Sequence, residues 1–532
     1  MLDAILISDS GTDTYSASSS LRLQMDGKPA LIQNILNFLE NDGTIVDPVI
    51  GADEKNWHCA PKLNGIVLLS HLLKQGLNVE LIDSFHRERN RFIDLLEDQP
   101  KAIIISTTFI LNQKSLDKLV RDIRSVAGEV FIIAGGPFVN SSYQLMQRID
   151  DQDYDTTSPS DDFLFLSQGR GPDVDLYIID SGGEQILSEA LHRIRTGYSA
   201  RDLPNTAHWN GQRHVFSERC ASQPHPEIRS VDWQIIPDRL FRFGAMNVQA
   251  SHGCPYQCEF CNFVREKKDC YLKPMDTLVA ELVDLSEKGI KYVRFVDDNF
   301  RLGKNDLNDV CRKFIEGGVT VNWMSFIRAS TLNNTDLELL KRAGCIEVQI
   351  GIESADRTVL ENMNKQADPK MYRRVMRNLL DAGINCSCCF LVGFPGETAE
   401  SFQATLDFIE SIPSRHQSGI FSWSFYPFML APLSPIYEPS KRAKYGLTGY
   451  MHQWKHKTMQ SDEARGWVKK AFFQIKNSGP VYTGDNLEML NRLSSQDKKR
   501  FIESRFILAK RSLKGSLDKS TITETFSSIL SA

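Results

Sequence analysis

The chain reads as an α/β protein with a parallel-sheet domain over 1–200 and a linker over 201–240, followed by a partial (β/α)6 barrel over 241–435 and a mainly helical region over 436–532. Three observations predict this. Continuous β-branched runs such as Ala102–Ser106 and Val130–Gly136 alternate with helical stretches, the pattern of a parallel sheet covered on both faces. From Ala245 onward, six strand–helix steps recur with polar or glycine-containing loops after the strands. A chain of 532 residues also exceeds the size at which one hydrophobic core keeps growing.

The first domain opens on a strand at 3–8, and a helix runs through Ile66–Leu73. Val79–Asp83 and Ala102–Ser106 are strands, and a helix over 113–126 leads into Val130–Gly136. The succession is Rossmann-like. Sheets of this kind bind ligands beyond the C-terminal ends of their strands, where Ser106-Thr107-Thr108, Gly135-Gly136-Pro137 and Ser181-Gly182-Gly183 fall. Residues 151–172 are polar and read as a loop inside this domain, and 201–238, with scattered prolines, as the linker.

In the second part, Ala245–Ala250 is a strand ending in a cysteine-rich loop. Helices at 276–288, 306–317, 334–342, 368–382 and 398–411 lead in turn to strands at 292–296, 321–326, 346–350, 386–392 and 419–426. Functional groups of such a barrel lie in the loops after its strands. After Pro435 the sequence turns helical and charged, and Ser516–Ala532 is rich in Ser and Thr.

Basic residues number 62 and acidic residues 67, a net charge of -5 that argues against a large nonspecific nucleic-acid surface. No basic segment precedes the first apolar run, as a secretory signal requires, and no apolar stretch approaches the ~20 residues of a membrane span. Eleven cysteines are too sparse for a disulfide scaffold, so a reducing, cytoplasmic setting is expected. Cys59, Cys220, Cys311 and Cys345 stand alone and read as small core residues.

Cys254, Cys258 and Cys261 stand in the loop Gly253–Asn262 at C-x3-C-x2-C spacing. Three thiolates from one loop can converge on a cuboidal iron–sulfur cluster and leave one iron of a [4Fe–4S] cube open. A zinc site with His252 or Cys270 as fourth ligand is the alternative. The place of the motif after a barrel strand, with five more strand–helix units following, is more than a small zinc module needs.

The segment from Phe243 to about Tyr426 resembles a radical S-adenosylmethionine (SAM) core. In that family the open iron chelates the amino and carboxylate groups of SAM, and electron transfer cleaves the sulfonium to methionine and a 5′-deoxyadenosyl radical. The resemblance implies that Asp297 and Asp298, in Val296–Phe300, lie near the SAM amino group. It implies that Glu353, in Gly351–Ser354, accepts from ribose hydroxyls, and that Gly393, Pro395 and Gly396 form the adenine-side turn, with Thr398 capping the next helix. Arg328 is a candidate carboxylate clamp because its forked donors suit such an anion. The plainer roles are loop or capping acids for Asp297 and Asp298, and a surface salt bridge for Arg328.

The domain before the barrel resembles the cobalamin-binding half of B12-dependent radical SAM enzymes, so the two resemblances cover about 1–460. The match rests on Ser106-Thr107-Thr108, Gly135-Gly136-Pro137, and Val174–Ile178 followed by Gly182-Gly183. The D-x-H-x-x-G motif that supplies a lower cobalt ligand is absent, and Asp83-Ser84-Phe85-His86 carries only a displaced histidine. Cobalamin held without a histidine ligand and a domain holding no B12 both stay open; a nicotinamide domain is disfavoured because no G-x-G-x-x-G follows the first strand. The family reaction is methyl transfer to an unactivated centre, through methylcobalamin and the 5′-deoxyadenosyl radical, on a small molecule or peptide, with an external electron donor such as flavodoxin or ferredoxin. No catalytic residue is assigned, although Trp454, His456 and Met459 resemble a post-barrel segment of related enzymes. One rival is a radical SAM epimerase using Cys386, Cys388 or Cys389 as hydrogen donor. Alternation along that strand sends Cys386 and Cys388 to one side and Cys389 to the other. The other rival is a non-catalytic iron–sulfur protein.

Overall fold

Four apolar runs of the first unit pair in register as parallel strands, because their side chains are apolar on both faces and helices cover both. These are β1 (Ala4–Ile7), β2 (Val79–Ile82), β3 (Ala102–Ser106) and β4 (Phe131–Gly135), joined by β5 (Leu176–Ile178). Every residue of β1 is fully buried, and each large aliphatic side chain buried this way contributes about 1.5–3 kcal/mol. In this computed structural model the described residues are 2–11, 21–25, 28–30, 32, 35, 39, 60–167, 169–180, 182–220, 230–262, 271–300, 306–413, 418–481, 490, 493–515 and 517–530. Cys59, Ser181 and Cys270 lie outside them.

The strand order is β2-β1-β3-β4-β5, continued by β6 (Thr206–Trp209) and β7 (His214–Phe216). The chain steps from β1 outward to β2 and then crosses back past β1 to β3, which makes the β1/β3 boundary the switch point where such sheets hold ligands. The last two strands correct the expected linker. β6 and β7 pair antiparallel as a hairpin on the edge of this sheet. Asn210 Oδ1 accepts from the amides of Gln212 and Arg213 (both 3.0 Å), and Gly211 takes a φ of +102°. Asn210 N also donates to Arg213 O (3.1 Å), so Gly211 and Gln212 form the two-residue loop, with glycine at the first position, where positive φ is required.

The second unit has seven strands in sequence order: β8 (Ala245–Val248), β9 (Tyr292–Phe295), β10 (Asn322–Phe326), β11 (Cys345–Glu353), β12 (Asn385–Val392), β13 (Phe421–Pro427) and β14 (Gly479–Pro480). All neighbours are parallel. Six strands were expected, and the two-residue β14 from the C-terminal region extends the row. Helix Ala399–Glu410 starts on the expected cap: Thr398 and Ser401 form a reciprocal capping box.

The C-terminal region does not stand apart as the helical domain expected for 436–532. Residues 442–532 cluster with 238–430, while 431–441 cluster with 61–237. Besides helices Ser461–Gln474, Ser495–Ser512 and Lys519–Leu530, it carries a hairpin, Thr448–Tyr450 paired with Gln453–Lys455.

Candidate active site

The cysteine loop leaves β8 and is tied down at both ends. Before it, Ser251–His252 pairs with Tyr271–Leu272. The carboxylate of Asp297, in the loop after β9, accepts from Ala250 N (3.2 Å), Ser251 Oγ (2.5 Å) and Ser251 N. Burial pushes this carboxyl up to about 6, against the pull of those donors. Asp297 is thus a pin for the loop rather than an open acceptor for a ligand's ammonium. Its neighbour Asp298 is exposed and accepts from Gly253 N at 3.0 Å, so it holds the base of the motif.

Cys258 is buried, Cys254 and Cys261 are half-buried, and none is in a disulfide. Burial raises the Cys258 thiol, while the cations of Lys365 and Arg328 pull it down. The turn after helix Arg357–Asn362 backs this loop. Met363 O accepts from Glu259 N (2.9 Å), and Asn364 Nδ2 donates to Gln257 O (2.8 Å). Among the described residues, no three His, Cys, Asp or Glu side chains gather as a ready-made ion site.

Lys365 was not singled out by the sequence, yet it organises this region. Its ammonium pairs with Glu353 at 2.8 Å, and it lies 5.8 Å from the Phe260 ring centroid. Burial, the largest single influence, works against its charge, but Glu353 together with Tyr372 and Cys258 offsets it and raises its pKa above the ordinary value. Glu353, at the end of β11, takes a left-handed φ of +65°. Arg328 caps β10 with its guanidinium 3.6 Å from the Tyr256 ring centroid, and it donates to Lys365 O. Two cations and one carboxylate therefore flank the cysteine loop, a charge set suited to a zwitterionic amino-acid group.

On β12, Cys386 and Cys388 are fully buried with their sulfurs 3.6 Å apart. Cys389 faces the opposite way, half-exposed, among Glu353, Lys365 and Arg294; burial pushes its thiol up to about 12. Of the three cysteines weighed as hydrogen donors, only Cys389 shares the side of the charged cluster. Beyond β12, Gly393 has a φ of +92° and Gly396 of +97°. A Cβ on Gly396 would lie 2.3 Å from Asn362 Nδ2, which itself donates to Pro395 O (3.1 Å). The turn Gly393–Thr398 is thus closely packed and bare of side chains on its glycines, as expected of a surface that approaches a ligand through its backbone.

At the C-terminal edge of the first sheet, Asn64 Nδ2 donates to Ser8 O (2.9 Å) and Ser106 Oγ (2.8 Å), bridging β1 and β3 across the switch point. Ser106 Oγ lies 3.2 Å from the hydroxyl of exposed Thr108. Thr107 is spent on the fold: its N–H and Oγ1 both bond to Gly135 O, at 2.8 and 2.9 Å. Gly136 has a φ of +116°, with only 3.1 Å between a built Cβ and Thr107 Oγ1, and Pro137 begins helix Pro137–Met146. Gly182 N is held by Asp180 Oδ1 (2.9 Å), and a Cβ on Gly183 would meet Ile178 at 2.6 Å. His86 follows β2 and is exposed.

Residues 248–409 match the profile of the Radical SAM superfamily. An uncharacterized methyltransferase of Pyrococcus horikoshii is 24% identical over 361 residues, 65% of this chain and 73% of that protein. The anaerobic magnesium-protoporphyrin IX monomethyl ester cyclases of Cereibacter sphaeroides and Rubrivivax gelatinosus are matched over 45% and 43% of their length. The fold is shared with the radical SAM methyltransferase TsrM from Kitasatospora setae, with a TM-score of 0.55, 16% identity, 82% of this chain and 75% of that one. It is also shared with the cobalamin-dependent SAM radical enzyme OxsB, with a TM-score of 0.52, 16% identity, 99% of this chain and 70% of that one. No described helix is long and apolar enough to cross a membrane. Residues 248–409 thus form a Radical SAM domain, which makes the chain an enzyme and implies a [4Fe–4S] cluster and SAM.

Proposed function

We propose that this chain is a cobalamin-dependent radical SAM methyltransferase acting on an unactivated centre of a small molecule or peptide. One observation carries the reading: a parallel sheet with a β1/β3 switch point and a Radical SAM domain occur in one chain, on the fold of TsrM and OxsB. TsrM, a radical SAM methyltransferase, has been solved with cobalamin and a [4Fe–4S] cluster bound, and OxsB with aqua-cobalamin and SAM bound.

Within this reading, Cys254, Cys258 and Cys261 hold the cluster. Three thiolates on a short loop suit a cube with one iron left for SAM. Arg328 and Lys365 supply cations for the SAM carboxylate, and Asp298 and Glu353 supply acceptors. The turn at Gly393, Pro395 and Gly396 forms the adenine side. Asp297 acts one step back, by fixing the loop that carries the thiols.

Cobalamin fits the edge of the first sheet, where the hydroxyls of Ser106 and Thr108 and the Cβ-less backbone of Gly135-Gly136 and Gly182-Gly183 border the switch point. When bound, it supplies a transferable methyl group; the chain's own part is to seat it and keep water out. No described histidine stands directly after β1, β3, β4 or β5, so those loops offer no imidazole to a bound cobalamin. Anaerobic reconstitution with hydroxocobalamin, desalting and an absorption spectrum test this. Stoichiometric retention supports the reading. No retention, with solvent deuterium entering a substrate of unchanged mass in ordinary water, favours an epimerase with Cys389 as hydrogen donor. An electron donor of the flavodoxin or ferredoxin kind and a cytoplasmic setting belong to the same proposal.

A further inference from the structure

Both polar groups of the Gly393 backbone are taken by side chains rather than by the sheet. Glu397 Oε2 accepts from Gly393 N at 2.5 Å, and Gly393 O lies 3.0 Å from His456 Nε2. The other ring nitrogen, Nδ1, accepts from Thr458 N (3.3 Å), which assigns the proton to Nε2 and makes it the donor. The imidazole stacks on Trp454 at 5.1 Å and 4° between planes. Trp454 is itself fixed by Nε1 donating to Phe428 O at 2.7 Å. Its ring edge stands 2.5 Å from where a Gly393 Cβ would be. Thr458 Oγ1 then accepts from Gly396 N at 3.3 Å. Both glycines of the turn are therefore gripped by one segment, Trp454–Thr458, which the hairpin of 448–455 delivers from beyond β13.

We propose that His456 is a positioning residue for the turn Gly393–Glu397, and that through it the post-barrel hairpin sets the affinity for SAM. The proposal rests on the reading of that turn as the adenine side of the site. The physical reason is the direction of one peptide plane. A purine edge is read by backbone donors and acceptors, whose aim depends on how each peptide is turned. A glycine at φ +92° has few steric limits of its own, so outside groups must fix its orientation. Trp454 fixes position by contact, and His456 fixes direction by a hydrogen bond. Only 4% of His456 is exposed, and a carbon side chain would fill that space without the desolvation cost of an imidazole. What the histidine adds is the N–H aimed at Gly393 O.

Two variants separate that donor from simple packing. His456→Phe keeps a stacked ring and removes the N–H; His456→Gln keeps an amide donor at about the same reach. SAM binding is measured by equilibrium dialysis on anaerobically reconstituted protein without reductant, alongside KM and kcat for 5′-deoxyadenosine formation. Iron content and melting temperature are followed in parallel. The expected result for His456→Phe is a SAM Kd and KM raised about tenfold, the scale of one lost buried hydrogen bond, with kcat and iron content within about twofold. His456→Gln is expected to stay within about threefold of the parent, a rescue that simple space-filling does not predict. Unchanged SAM affinity in His456→Phe overturns the proposal, as does an equal loss in both variants. If His456→Phe does not fold, Thr458→Val removes the hydroxyl that holds Gly396 N and lies 3.2 Å from Nδ1, while leaving the Thr458 amide in place. It is expected to raise the SAM Kd about threefold, and no rise overturns the proposal. An unaltered protein that neither binds SAM nor forms 5′-deoxyadenosine refutes the reading of the site itself, and the proposal with it.

Discussion

The two ligand edges of the molecule are built in different ways. In the first sheet the edge is held by ties among its own strand ends and helix Leu63–Lys74: Thr107 to Gly135, and Asn64 to Ser8 and Ser106. In the barrel the loops are held as well by groups from segments outside the strand row: Asn364, in the turn after helix Arg357–Asn362, on Gln257, and His456, from the post-barrel hairpin, on Gly393. Ties within one sheet edge fix a surface that a large cofactor can cover. Ties from added segments fix individual peptide planes, which a small ligand such as SAM and an air-sensitive cluster require.

Replacing Cys254, Cys258 and Cys261 together by Ala gives the largest effect, complete loss of iron after anaerobic reconstitution and of SAM cleavage. The same replacement leaves cobalamin retention by the first sheet unchanged, and iron analysis beside the cobalamin spectrum measures both. Next come two glycines, one at each edge. Gly393→Ala brings a Cβ to 2.5 Å from Trp454 and 2.8 Å from Ala464 at a φ of +92°. It is expected to cost more than about 2 kcal/mol, read as a lower melting temperature. Gly136→Ala, with 3.1 Å to Thr107 Oγ1, is expected to cost about 1–2 kcal/mol and to weaken cobalamin retention alone. If both lower the melting temperature equally, the contrast between the edges is lost.

A smaller effect follows from Glu397. Burial pushes its carboxyl from 4.5 up to about 8, so the folded chain holds this proton more tightly than the unfolded chain does. Its contribution to stability is then full below pH 4.5 and is lost as pH rises toward 8. Glu397→Gln keeps an acceptor for Gly393 N and should flatten that part of the stability–pH curve, raising stability relative to the parent at pH 8. An unchanged slope in thermal melts between pH 5 and 8 would remove Glu397 as its cause. The smallest effect is expected for His86→Ala, which should leave the cobalamin spectrum and retention as they are. A spectral change would make His86 a cobalt ligand.

Much of the barrel was legible because its strands alternate cleanly with helices; the predicted strand 386–392 is observed as Asn385–Val392. The Thr398 cap was also readable from its place before an apolar helix. The Asn210-Gly211 hairpin carried a signal of its own, but the surrounding polarity and prolines pointed to a linker. Asp297 and Asp298 are adjacent acids with opposite fates. Continuing the alternation of β9 past buried Phe295 and exposed Val296 would have sent Asp297 inward and Asp298 out. Lys365 left no such trace. It stands between Asn364 and Gln366, both at positive φ (+52° and +50°), in a turn whose purpose appears only when it meets the cysteine loop.

The central claim is that one chain joins a SAM-cleaving cluster to a cobalamin-binding sheet. It is tested most directly by anaerobic reconstitution with iron, sulfide and hydroxocobalamin, followed by desalting, reduction and addition of SAM. The account predicts about four irons and one cobalamin retained per chain, with 5′-deoxyadenosine formed on reduction and abolished by the triple cysteine replacement. Stoichiometric zinc in place of iron, with no cobalamin and no 5′-deoxyadenosine, would contradict it.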